Sequence, residues 1–109
     1  MTREQIFETA RTFFGKTLRV DARQARVSLK SAGTNFHHAV VAIDFGARHF
    51  EVEISRYDNR IKLVEITTHN KFRFDHRNPL NGYALKEERS ERVIRNHRLE
   101  GYLLAENND

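Results

Sequence analysis

The chain contains no cysteine, one proline and five glycines among its 109 residues. Without thiols there are no disulfides, iron–sulfur clusters, thiolate metal sites or cysteine nucleophiles. A domain of this length must therefore hold together by burying one modest core. The scattered glycines form no phosphate-cradling loop, and no repeat, low-complexity tract or linker divides the chain. The longest uncharged apolar run, "AVVAI" at 39–43, is far too short to span a bilayer. The N-terminal "MTREQIFETA" is charged throughout, unlike a signal peptide. The expectation is one soluble, cytoplasmic α+β domain over 1–109, frayed at 106–109, with no membrane partner and no cofactor.

Basic residues exceed acidic ones by 19 to 15, and 14 of the 19 are arginine. Arginine suits planar, bidentate contacts to phosphate or carboxylate. An excess of +4 is modest, so its distribution matters more than its size. Residues 11–30 hold Arg11, Lys16, Arg19, Arg23, Arg26 and Lys30 against Asp21, which is 6 − 1 = +5.

Thr2 and Gln5 form a capping-box pair, and Ile6, Phe7, Ala10, Phe13 and Phe14 follow at helical spacing. The pattern predicts an N-terminal helix ending at Gly15, with Phe7, Phe13 and Phe14 as core anchors. Residues 17–32 fit either two short strands (Leu18 and Val20, then Val27 and Leu29) or an alanine-striped helix capped by Asp21. The strand reading buries more apolar surface. Arg26 and Lys30 share a face either way.

From Phe36 onward the period is β. "FHHAVVAIDF" reads as a central strand covered on both faces. "ARHFEVEISRY" alternates, with Phe50, Val52 and Ile54 inward and Glu51, Glu53 and Ser55 outward. Asp58-Asn59 suits a two-residue hairpin turn. "RIKLVEITT" and "KFRFD" read as two further strands separated at His69-Asn70, and "RNPLNG" as a loop. Glu88 with Arg92, and Glu91 with Arg95, then predict a second helix over Leu85–Leu99. Gly101 closes that helix, and Tyr102–Ala105 suits a short edge strand. The predicted architecture is a helix, a curved antiparallel meander of four to six strands, and a C-terminal helix, in two layers.

Three constellations carry chemical implications. Asp75-His76, with Pro79 three residues beyond the histidine and Gly82 after it, resembles the first half of the HNH (ββα-metal) nuclease motif. That resemblance implies His76 as the general base activating water beside a divalent metal. The motif's second half asks for an Asn and a further His or Asn about eight residues apart on a helix, whereas Asn96 and His97 are adjacent. "VAIDFGARHFEVEIS" is similar to the opening hairpin of ribonuclease-H-like nucleases and actin-like ATPases, which implies Asp44 as a metal ligand. Those folds need further carboxylates on parallel strands, and the hairpin reading is preferred. His37 and His38 are consecutive on a strand and so face opposite ways, and the six histidines contain no HxH or HxxxH pair. No serine has a recognisable base beside it, so no catalytic residue and no metal ligand is assigned.

The third constellation is basic and aromatic. In "HNKFRFDHR", Lys71, Arg73 and Arg77 alternate with Phe72 and Phe74. Together with Arg23, Arg26 and Lys30 they suit a non-enzymatic module that tracks a nucleic-acid backbone with little sequence specificity. The competing reading is a solvated face neutralised by Glu51, Glu53 and Glu65. Its functional form is a regulatory or accessory module docking on an acidic protein surface, with an open sheet edge suited to homodimerisation.

Overall fold

The computed structural model describes residues 1–74 and 83–102, with side chains at 1–69 and 88–102. Helix α1 (Arg3–Leu18) precedes strands β1 (Arg26–Ala32), β2 (His38–Phe45), β3 (Arg48–Ser55), β4 (Arg60–Phe74) and β5 (Tyr83–Arg98). The strands form one antiparallel meander in sequence order, β1-β2-β3-β4-β5. The helix and the meander are as the sequence predicts. Among the described residues, no helix is long and apolar enough to cross a membrane.

The capping box forms as its residue types require. The Thr2 backbone N–H donates to Gln5 Oε1 at 2.7 Å, and Gln5 N–H donates to Thr2 Oγ1 at 3.2 Å. Thr2→Ala removes the side-chain acceptor and is expected to cost about 1 kcal/mol. For a domain near this size that is a fall of about 4–8 °C in Tm. A thermal melt unchanged by the substitution removes the cap from the account.

The helix does not stop at Gly15. It runs to Leu18 and is capped by Arg19 in the left-handed region at φ 57°. Gly15 serves close approach instead, since a Cβ there would lie 3.2 Å from the Val20 carbonyl oxygen and 3.3 Å from the Ala22 Cβ. Leu18 and Val20 are accordingly not a strand. A 3₁₀ turn at Ala22–Gln24 leads directly into β1.

One face of the sheet meets the helix. Ile6, Ala10, Phe13 and Phe14 bury against Val41, Ile43, Phe50, Val52, Ile54, Ile61 and Leu63, while Phe7 is half-buried. The Phe14 ring lies edge-on to Phe45 (5.6 Å between centroids) and to Phe50 (5.1 Å). The inward alternation of Phe50, Val52 and Ile54 holds. β2 is not covered on both sides, because Val40 and Ala42 on its other face remain half-buried. Nothing among the described residues forms a third layer over that open face.

The C-terminal helix expected over Leu85–Leu99 is strand β5. Charged pairs four apart favour a helix by only a few tenths of a kcal/mol each. The helical stripe of Leu85, Val93, Ile94 and His97 is too thin to dock one. As a strand, the segment pairs with β4 from Arg60↔Arg98 to Phe74↔Tyr83, broken only by a bulge beside Val64. A 3₁₀ turn at Leu99–Gly101 follows, with Leu99 fully buried.

β4 runs unbroken through His69-Asn70 instead of splitting there. The β3–β4 loop spans four residues between the paired Ser55 and Arg60, and only Asn59 is left-handed (φ 53°). The Ser55 hydroxyl donates to Asp58 Oδ2 at 3.2 Å and supports the longer turn. Asp75–Gly82, including His76 and Arg77, and residues 103–109 lie outside the described residues.

Candidate functional site

Strand register sorts the charged side chains onto two faces. On the open face, Lys30 Nζ and Arg89 Nη2 (2.8 Å) both donate to Glu51 Oε2, and Arg89 also donates to Glu91 Oε1 at 2.9 Å. The Glu51 carboxylate beside it holds Arg89 protonated above the usual arginine range. Lys62 lies 3.5 Å from Glu53. Of the open-face cations named from the sequence, Lys30 is thus answered by Glu51, one of the carboxylates named as competitors. Arg26, opposite Asp44, is exposed on the same face.

On the helix-side face, Glu65 is shared by two guanidinium groups. It accepts from Arg48 Nε at 2.8 Å and Nη2 at 3.0 Å, and from Arg92 Nη2 at 2.8 Å. The Arg48 hydrogen bonds are the main cause that draws the Glu65 carboxyl down to about 2, with Arg92 adding to them against the cost of burial.

Arg23 sits in the 3₁₀ turn after α1. Asp21 accepts its backbone N–H and Nε, both at 3.0 Å, and its Nη2 at 2.9 Å. That clamp lowers the Asp21 carboxyl and raises the Arg23 guanidinium. The Arg23 side chain nonetheless remains 89% exposed. It lines an open groove of about 760 Å³ with Phe7, Arg11, Lys16 and Val20. Within the groove wall, Arg11 Nε is buried without a hydrogen-bond partner among the described residues.

Asp44 is bonded to His49 Nδ1 at 2.7 Å across the β2–β3 turn. Its strand is antiparallel to both neighbours, unlike the parallel frame of the ribonuclease-H-like and actin-like folds. Asn96 and His97 lie on β5 instead of the helix that the HNH pattern requires. No group of three or more His, Asp or Glu side chains among the described residues is placed to hold a metal ion.

Lys71 and Arg73 lie on a two-stranded ribbon. β3 stops pairing with β4 at His49↔Ile66, but β4 and β5 continue for eight further pairs, Thr67↔Ser90 to Phe74↔Tyr83. At about 3.3 Å per residue the ribbon extends roughly 25 Å beyond the end of β3. Lys71 pairs with Lys86, and Arg73 stands two positions along on the same register face, opposite Ala84. The structure therefore brings Lys71 and Arg73 together, leaves Arg23, Arg26 and Lys30 on the main body, and adds Lys86. Sequence reasoning missed Lys86 because it assigned that segment to a helix. The available signal was the length of the hairpin, which sets Lys86 across from Lys71.

No protein-family model, curated protein or solved structure matches the chain.

Proposed function

We propose that the protein is a small non-enzymatic module that binds a nucleic-acid backbone, with the distal β4–β5 ribbon as its contact element. The register of Lys71 opposite Lys86, with Arg73 beside them, carries this reading. Like charges directly opposite on a ladder destabilise it, and an anion lying between them removes the penalty. A phosphate chain supplies such anions at regular spacing. A two-stranded β-ribbon also matches the width of a duplex major groove, about 12 Å.

Arg26 stands at the end of the sheet from which the ribbon projects, but on the open face, whereas Lys71 and Arg73 share register parity with Glu65 on the helix-side face. Lys30 and Arg23 contribute less, since a phosphate must first displace Glu51 or Asp21. Contacts of this kind position the partner without reading its sequence, so affinity should vary little with base composition.

The test is fluorescence anisotropy of labelled oligonucleotides titrated with the wild type and with the Lys71→Ala/Arg73→Ala/Lys86→Ala variant. The variant is expected to bind at least about tenfold more weakly on every sequence, with the salt slope shallower by roughly 2 to 3 units. Lys30→Ala should change affinity less than twofold to threefold, on the order of a surface ion pair. Equal binding by the triple variant and the wild type contradicts the ribbon's role.

A further inference from the structure

The two edges of the sheet differ. Edge strand β1 is seven residues long and is interrupted by an irregularity between Leu29 and Ser31. Such breaks are a common way to prevent unwanted pairing. Edge strand β5 is 16 residues long and regular from Tyr83 to Val93, with its bulge only at Ile94. Among the described residues, no strand lies beyond it. Its distal half belongs to a ribbon with no third strand, and a two-stranded ribbon is marginally stable alone in water.

The charge order along this edge is self-complementary. Residues 88–92 read Glu-Arg-Ser-Glu-Arg. Two copies related by a two-fold axis normal to the sheet must pair antiparallel with like faces aligned, so opposed residues have the same parity. With the axis at Ser90, Arg89 stands opposite the partner's Glu91, and Glu88 opposite the partner's Arg92. Symmetry repeats both, giving four opposite-charge pairs. Moving the axis one residue to Arg89 opposes Arg89 with itself and Glu87 with Glu91. Moving it to Glu91 opposes Glu91 with itself. Moving it past Val93 runs the ladder into the bulge. Centres at Glu87, Glu88 and Arg92 likewise oppose a charge with itself, so Ser90 is the one centre on the regular edge that gives opposite-charge pairs and no like-charge pair.

We infer that β5 is a homodimerisation edge, joining two copies antiparallel with Ser90 on the two-fold axis into a continuous ten-stranded sheet. Arg89, Glu91 and Arg92 have side chains 40%, 53% and 74% exposed, so they can meet a partner's charges while keeping their own contacts, Arg89 to Glu51 and Glu91, and Arg92 to Glu65. In this register residues 87–90 of each ribbon lie beside residues 90–93 of the partner's β5, before the ladder reaches the bulge at Ile94. The second copy thereby supplies a third strand to the half of the ribbon nearest the body. The inference rests on the edge alone and stands whether or not the ribbon binds nucleic acid.

Sedimentation equilibrium over a wide concentration range tests it. The wild type should approach twice the 12.9 kDa chain mass at high concentration. Ser90→Lys opposes two lysines on the axis and should weaken association by on the order of tenfold or more, with an unchanged thermal melt at low concentration. Arg89→Glu should also weaken association, with a lower melt because it sets a like charge beside Glu51, and Arg89→Glu/Glu91→Arg should restore association by reversing both pairs across the axis. The chain has no native thiol, so Ser90→Cys should cross-link to a disulfide dimer under mild oxidation while Ser28→Cys on the other edge does not. A species of 12.9 kDa at every concentration, or a dimer indifferent to both Ser90→Lys and Arg89→Glu, overturns the inference.

Discussion

Phe14→Ala is expected to lower the unfolding free energy by about 3–5 kcal/mol, the range for deleting a fully buried phenylalanine ring. The ring is wholly inaccessible and meets Phe45 and Phe50 edge-on, so three aromatic side chains from α1, β2 and β3 lose their common contact. The helix covers only one face of a five-stranded sheet, and no layer among the described residues covers the other. Domains of this size have total stabilities of roughly 5–15 kcal/mol, so the variant should be largely unfolded at modest urea concentrations. Phe7→Ala should cost much less, because Phe7 is only half-buried and keeps part of its surface in water. Urea titrations of the two variants separate these outcomes. Equal losses would show that α1 docks through a different face.

Glu65→Gln should produce the next largest loss, and its signature is a pH dependence. The folded Glu65 carboxyl titrates near 2 against 4.5 for an unperturbed one, chiefly through its hydrogen bonds to Arg48. A carboxyl drawn down on folding stabilises the folded state fully above the unfolded value. That contribution drains away as pH falls from about 4.5 towards 2. Arg48 and Arg92 are 51% and 74% exposed, so solvent screens the pair and the net contribution is on the order of 2 kcal/mol. Wild type and variant should differ by that amount at pH 7 and converge near pH 2. Parallel stability curves across this range contradict the role assigned to Glu65.

The body of the fold was legible because its signals agree across levels. Thr2 with Gln5 began the helix, the Phe13–Phe14 pair marked its buried side, and the alternation of Phe50, Val52 and Ile54 fixed the face of β3. The C-terminal half misled because its signals conflict. Glu88, Glu91, Arg92 and Arg95 satisfy helical pairing rules locally, yet those same charges are used across strands, where Arg92 meets Glu65 and Arg89 meets Glu51. Only pairing with β4 chooses between these states, and that partner is distant in sequence. The same dependence hid Lys86. Likewise, Arg23 and Lys30 were visible as cations, but their neutralisation by Asp21 and Glu51 depends on turn geometry and on strand register.

The salt dependence of wild-type binding tests the central claim most directly. Anisotropy titrations of a single-stranded and a duplex oligonucleotide, repeated from low to physiological salt, give the slope of log affinity against log salt concentration. Three phosphate contacts from Lys71, Arg73 and Lys86 predict slopes of about −2.7 on duplex and about −2.1 on single strands, nearly the same for every base sequence. Absence of binding at low salt, or binding with no salt slope, contradicts a nucleic-acid role for the ribbon.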